Sequence, residues 1–331
     1  MSWIDVKAHD ELARIREARE MGVYPYFREF ESGSIRTTIA GKPILNFSSN
    51  DYLGLTNHPA VKDAAKKAID RYACGLSSSR VQATTVEHVE LERRLAKWFG
   101  FEKCLTFTTG YQAMVGTIVS FADKDVTLAL DNLSHACILD GTFLAAGVPT
   151  RQPEVRFFNH NSARSLERVL STKERPNAMV LVEGIYSLDG DTGNLRELIE
   201  VCAKHDAALV VDDAHGTGTM GTHGRGVLEE MGLEGKVPIV VSTFSKTFGG
   251  IGGVLSGRPS WSSTSSTRRA RSCSPRRCRC RSSPRRPRSS ACSRPTAPRS
   301  CASSRTRPPT RARSCSRRAS TSASRTPTSC R

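Results

Sequence analysis

The chain has 331 residues, with 49 Lys and Arg against 32 Asp and Glu and a net charge of +17. That length allows one large domain or two smaller ones. The opening "MSWIDVKAHDELARIREARE" is charged and helical in pattern rather than a signal peptide, and no apolar run reaches the about 18 residues that a membrane span needs.

The charge is an average over two unlike parts. Residues 1–260 hold 29 basic against 32 acidic residues, so the body is near −3. Its four cysteines, Cys74, Cys104, Cys137 and Cys202, are not closely paired, which suits a reducing cytoplasm. The first 35 residues read as a helix and then a loop at "GVYPYF". "KPILNFSSNDYLGL" reads as a short strand and a polar turn. "HPAVKDAAKKAIDRYA" has helical spacing with Pro59 at its start, and "TVEHVELERRLAKWFG" is an amphipathic helix stopped by Gly100. Short apolar runs then alternate with helices. "KCLTFTTG" and "VTLALD" flank the helical "YQAMVGTIVSFA", and "NLRELIEVCAKHD" lies between "NAMVLVEG" and "AALVVDDAHG". "VPIVVSTFSK" is one more buried-strand run. Apolar strands alternating with helices predict an α/β fold with a mostly parallel sheet covered on both faces. Polar residues at the strand C-termini then gather in one crevice, which places Glu183, Asp212, Asp213, His215 and Lys246 there.

The last 71 residues, Trp261 to Arg331, are of another kind: 20 Arg, 20 Ser, 8 Thr, 8 Pro, 7 Ala, 7 Cys and one Trp, with no Asp, Glu, Lys, Gly, Leu, Ile, Val or Phe. A disordered basic arm for nucleic acid is one reading. The seven cysteines, the missing Lys and Gly, and the abrupt start count against it. A disulfide framework lacks core-forming residues. A third reading fits better: every residue type in this tail has G or C at its second codon base, as a shifted frame in a GC-rich gene would produce. Sequencing the coding DNA tests this, and a verified frame would remove it.

Each chemical motif carries a bland reading beside a sharper one. Lys246 in "STFSKTFGGIGG" is a surface-loop lysine or a Schiff-base lysine among small residues that admit a planar cofactor. Asp212 and His215 in "LVVDDAHGTG" form an Asx-type turn, a metal site, or a carboxylate and imidazole set around a pyridine ring. "TFTTGYQAM" is a strand–turn–helix whose amide groups suit a phosphate. His135 in "DNLSHACILDG" is a helix cap, a core residue or a ring-stacking group. The order of these motifs, each separated by strand–helix units, is more specific than any one of them.

Through "NFSSNDYLGL", "GYQAM", "DNLSHACILDG", "VEGIYSLDGD", "VVDDAHGTG", "GRG" and "STFSKTFGG", the chain resembles the α-oxoamine synthases, a fold-type I family dependent on pyridoxal phosphate. The similarity runs from about residue 43 to 257. It implies a cofactor-binding large domain over 43–257; residue pattern and composition add an N-terminal helical arm over 1–42 and a low-complexity tail, expected to be disordered, over 258–331, where the family has a small domain. It also implies a pyridoxal 5'-phosphate enzyme that condenses an amino acid with an acyl-CoA thioester, with decarboxylation to an aminoketone. The look of the motifs is nearest 8-amino-7-oxononanoate synthase; glycine C-acetyltransferase and serine palmitoyltransferase-like activities stay open, as does a truncated non-enzyme. By the resemblance, Lys246 holds the cofactor aldehyde, Asp212 the ring nitrogen, His215 the phenolic oxygen, and His135 the ring face. Gly110, Tyr111, Ser187 and Thr243 bind cofactor, and Asn50 faces the substrate; no metal is implied. A cytoplasmic homodimer is expected of the intact family, with no membrane or nucleic-acid partner. "VQATTVEH" lacks the glycine the family has after its arginine, which makes substrate choice the least legible feature. Without the small domain, weak or no turnover is expected of this chain.

Overall fold

The computed structural model describes residues 2–258, apart from Pro25 and Ser34. The arginine-rich tail from 259 onward, and with it the shifted-frame and disorder expectations, lies outside the described residues.

The chain begins with α1 (Trp3–Glu20), whose N-terminus is closed by Ser2 and Asp5 in a reciprocal capping box. The expected loop that follows contains a small antiparallel hairpin, β1 (Arg36–Ile39) and β2 (Lys42–Leu45). Its turn residues Ala40 and Gly41 both have positive φ, a tight reversal that apolar periodicity does not reveal. Helix α2 (Pro59–Tyr72) starts with Pro59 in its first turn, where the missing N–H costs nothing. Helix α3 (Val86–Phe99) is capped by the Thr85 side chain and ended by Gly100 in the left-handed region.

The remaining elements are β3 (Lys103–Phe107), α4 (Gly110–Phe121), β4 (Val126–Asp131), α5 (Ala136–Ala146), β5 (Glu154–Phe158), α6 (Ala163–Ser171), β6 (Asn177–Glu183), α7 (Leu195–Lys204), β7 (Ala207–Asp212), the short α8 (Val227–Glu230), β8 (Ile239–Thr243) and β9 (Gly253–Gly257). The strands form one seven-stranded sheet in the order β3-β9-β8-β7-β6-β4-β5. Its five strands from β8 to β5 are parallel, while β9 runs antiparallel to both β8 and β3. The mostly parallel α/β architecture read from the sequence is therefore the one observed.

Successive strand residues face opposite sides, so each strand feeds two cores. Val180, Val182, Leu209, Val211 and Val240 pack under α6, α7 and α8, against Leu166, Leu170, Leu195, Leu198 and Val227. Met179, Leu181, Val210, Ile239 and Val241 pack on the other side under α4 and α5, against Met114, Ile118 and Ile138. A third cluster seats Leu95, Ala96 and Phe99 of α3 on Cys104 and Val254 of the β3–β9 pair. Burial on both faces explains why these strands read as continuous apolar runs. Asp131, Glu183 and Asp212 are the last residues of the parallel strands β4, β6 and β7.

Candidate cofactor site

A cavity of about 220 Å³ opens at the C-terminal ends of β6, β7 and β8, lined by Thr109, Gly110, Tyr111, His135, Cys137, Glu183, Asp212, Ala214, His215, Ser242, Thr243, Ser245 and Lys246. The parallel register sets Glu183 beside Asp212, so two carboxylates from neighbouring strand ends share the cavity wall. Asp212 is buried; its Oδ1 accepts the Ala214 N–H at 3.1 Å, and its Oδ2 has the Cys137 thiol at 3.5 Å. The Asx-type turn is thus real and coexists with a carboxylate that borders the cavity.

Asp213 does not border it. As the next residue it faces away, into a pocket of glycines where its Oδ2 accepts the Thr217 hydroxyl and the Val227 N–H, each at 3.2 Å. A Cβ at Gly216 would lie 2.2 Å from Asp213 Oδ1, so that packing requires glycine. The sequence-based placement of Asp213 in the crevice is corrected by this alternation.

Lys246 sits on the loop after β8, partly buried, with Nζ 2.6 Å from His215 Nε2. Burial pulls the amine below its ordinary value, with Asp212 and Glu183 acting against the shift. His215 Nδ1 lies 2.7 Å from the Tyr52 hydroxyl. Burial first, and then the Lys246 charge, push the His215 imidazole down to about 4, so it is neutral at neutral pH. Burial and the neighbouring Asp212 charge push Glu183 up to about 7, opposed by the His135 N–H, which donates to Glu183 Oε1 at 2.6 Å. Burial likewise raises Asp212, and the Lys246 charge is the largest effect opposing it.

His135 is a helix cap, as one of its readings had it. It caps α5, with Nδ1 accepting the Cys137 N–H at 3.2 Å, and it also lines the cavity. The start of α4 also lines the cavity. Thr109 caps that helix by accepting the Gln112 N–H at 3.0 Å, and Gly110 and Tyr111 of its first turn line the cavity. Gly110 is required there: a Cβ would lie 2.8 Å from Thr243 Cβ. Thr243 Oγ1 donates to the Gly252 carbonyl at 3.0 Å and lies 2.8 Å from Ser245 Oγ.

Eight of the sequence-chosen residues therefore meet in one cavity: Gly110, Tyr111, His135, Glu183, Asp212, His215, Thr243 and Lys246. Ser187 and Asn50 are not in its lining; both are exposed. Ser187 stands on the turn after β6, and Asn50 Oδ1 lies 3.3 Å from the Tyr52 hydroxyl. Sequence reasoning passed over Thr109, Cys137, Ser245 and Tyr52. The Thr-Gly pair ahead of an apolar helix could have flagged Thr109 as a cap, whereas Tyr52 reaches His215 only through the tertiary fold. Among the described residues there is no group of three His, Cys, Asp or Glu side chains placed to share a metal ion.

The donor set suits a flat, anionic aldehyde cofactor. It offers a partly buried amine, a buried carboxylate whose only side-chain hydrogen-bond partner among the described residues is a thiol at 3.5 Å, a neutral imidazole, and a helix N-terminus. A cationic ring nitrogen at Asp212 would supply the charge its burial calls for.

The chain is similar to known proteins in sequence and in fold. The chain is 38% identical over 254 residues to 8-amino-7-oxononanoate synthase from Methylococcus capsulatus, covering 76% of this chain and 64% of that protein. It is 37% identical over 246 residues to serine palmitoyltransferase from Sphingobacterium spiritivorum, covering 73% and 60%. Among solved structures, serine palmitoyltransferase from S. paucimobilis with a bound PLP–myriocin aldimine superposes with a TM-score of 0.73 at 34% identity, over 78% of this chain and 65% of that one. The Sphingomonas wittichii serine palmitoyltransferase gives 0.71 at 38% identity, over 77% and 64%. The chain spans a little under two thirds of the length of these relatives. The model of the aminotransferase class I and II family matches residues 42–278, well over half the sequence, and the chain belongs to that family.

Proposed function

We propose that the chain binds pyridoxal 5'-phosphate in the cavity and that the intact protein is an acyltransferase of the α-oxoamine synthase kind, joining an amino acid to an acyl-CoA thioester with loss of carbon dioxide. The single observation that carries this is the meeting of Lys246, Asp212 and His215, from two strand ends, around one cavity closed by the α4 N-terminus. When bound, the cofactor supplies an aldehyde for an amine and a protonated ring that draws electrons from a substrate α-carbon.

This chain's residues then have separable tasks. Lys246 Nζ would hold the aldehyde, and as an amine beside the reacting carbon it could carry a proton there. Asp212 Oδ2 would hold the ring nitrogen, His215 would bond the phenolic oxygen, and His135 would lie against the ring. The amides of Gly110 and Tyr111 and the Thr243 hydroxyl serve the phosphate end, with Ser187 brought in from the turn after β6. Asn50 meets the substrate. Exposed Leu133, Leu188 and Ile251, on loops at the strand ends, support a homodimer in which a second copy covers this rim. A cytoplasmic location goes with this reading.

The relatives favour 8-amino-7-oxononanoate synthase and serine palmitoyltransferase nearly equally, at 38% and 37% identity. We place the chain nearer the former on the motifs quoted above. The test has two stages. Adding pyridoxal phosphate to the purified chain should produce a visible imine band that is absent from Lys246→Ala; no band in either protein sinks the cofactor assignment. With the reading frame restored, release of coenzyme A from short and long acyl thioesters with glycine, alanine or serine then identifies the substrates. Robust condensation by the 331-residue chain would contradict the weak turnover expected of it.

A further inference from the structure

Tyr52 is a residue that neither the motif order nor the cofactor assignment calls for, yet it is bonded to the site. It lies on the polar turn between β2 and α2, far in sequence from His215, and its hydroxyl is 2.7 Å from His215 Nδ1. Its position is set by a second, independent contact. A Cβ at Gly249, three residues after Lys246, would lie 2.5 Å from the Thr56 amide nitrogen and 2.8 Å from Thr56 Cα. The turn carrying Tyr52 is therefore seated directly on the backbone of the lysine loop. The same turn is held internally by Asp51, whose carboxylate accepts the Thr56 N–H at 3.3 Å.

The contacts form a chain with a direction. At one end an ammonium can only donate, and Lys246 Nζ is 2.6 Å from His215 Nε2. At the other end a carbonyl oxygen can only accept, and the Tyr52 hydroxyl donates to Asn50 Oδ1 at 3.3 Å. With its proton directed at Asn50, the Tyr52 oxygen presents a lone pair to His215, so Nδ1 carries the hydrogen and Nε2 is bare. We propose that Tyr52, backed by Asn50, is a positioning residue that fixes the Nδ1–H tautomer of His215, leaving Nε2 as the nitrogen that receives the Lys246 proton. This rests on the cofactor reading only for its consequence, which is the release of a nucleophilic amine.

The transfer balances. The Nζ–H bond breaks, its electron pair stays on Nζ, and an N–H bond forms at Nε2. The Nδ1 proton passes to the Tyr52 oxygen, and the Tyr52 hydroxyl proton passes to bulk solvent, Tyr52 as a residue being 44% exposed.

The tautomer can be measured without cofactor, by nitrogen-15 NMR of the full chain labelled at histidine, with the His215 signals assigned through His215→Gln. Near neutral pH the wild-type spectrum should show a protonated Nδ1 and a bare Nε2. Lys246→Met removes the donor at one end, and the Nδ1–H form should persist because Tyr52 and Asn50 still impose it. In Lys246→Met combined with Tyr52→Phe, which keeps the ring and loses only the hydroxyl, the Nδ1 signal should move toward the bare-nitrogen region. A wild-type spectrum with Nε2 protonated, a flip in Lys246→Met alone, or no change in the double variant would each overturn the proposal. In the chain with native Lys246, Tyr52→Phe should slow the appearance of the imine band with added pyridoxal phosphate about fivefold, the loss of one hydrogen bond. If the wild type formed no band while the spectra behaved as stated, the cofactor reading would fall and the Tyr52 assignment would stand.

Discussion

Asp212 and Asp213 are adjacent and chemically identical, and the strand period sends them to opposite environments. Asp212 borders the cavity, whereas Asp213 is held by Thr217 and Val227 beneath glycines 184, 216 and 226. Burial pushes Asp213 up to about 8, so it is a neutral acid at neutral pH that accepts two hydrogen bonds. Asp213→Ala should destabilise the fold by about 2–3 kcal/mol in urea unfolding, because it leaves the Val227 N–H and the Thr217 hydroxyl without this partner. Asp213→Asn should be far milder. Asp212→Asn should unfold at nearly the wild-type midpoint yet weaken the imine band or shift its pH dependence. If the two aspartates exchanged these behaviours, the assignment of Asp212 to the cavity would be wrong.

Between elements, the cavity depends on loops held to one another from outside it. His160, after β5, bonds Asp131 at the end of β4 through Nδ1 at 2.9 Å and Asp191, after β6, through Nε2 at 2.8 Å. Asn161 joins the same group by donating its backbone N–H to Asp131 Oδ2 at 2.9 Å. The Asp131 side chain is fully buried, and four residues later comes His135. Burial opposes protonation of His160, but the two carboxylates outweigh it and raise the imidazole above its ordinary value. His160→Ala removes one of the partners of a buried carboxylate that keeps the Leu133 and Asn161 N–H donors, and a loss of about 1–3 kcal/mol is expected in denaturant titration. A loss below about 0.5 kcal/mol would place the brace among surface pairs of little consequence. At the other wall, Gly110→Ala forces its methyl onto Thr243, so it should cost about 1–3 kcal/mol and weaken pyridoxal phosphate binding together. Calorimetry paired with cofactor titration would detect one effect without the other.

For the whole molecule the shifted groups give a pH dependence with a definite sign. Asp213, near 8, and Glu183, near 7, hold protons in the folded state that the unfolded chain has lost above the usual carboxylate range. Their contribution falls as pH rises through those values. His215 near 4 works the opposite way, but only below about 6.5, where the unfolded imidazole takes up a proton. His160 is raised, so it too loses its contribution as pH rises. From pH 6.5 to 8 every one of these effects points the same way. Stability should fall across that window by on the order of 1 kcal/mol per pH unit. Asp213→Asn should remove much of the slope, and a flat wild-type profile in chemical denaturation would count against the buried neutral acid.

Much of the framework was legible along the chain because it follows from local rules. Two-sided burial makes β4, β6, β7 and β8 read as apolar runs, and Pro59, Thr85 and Gly100 mark helix ends by their own chemistry. The candidate residues were legible because parallel strands end at one edge, so Asp212, His215 and Lys246 could be expected together. Strand β9 escaped notice because "GGVLSG" is small and glycine-rich, and only pairing with β3 and β8 makes it a strand. Residue types alone could not separate Asp212 from Asp213, nor bring Tyr52 to His215 across 163 positions. Those relations depend on which face a side chain takes and on which loops touch, and only the packed sheet decides that.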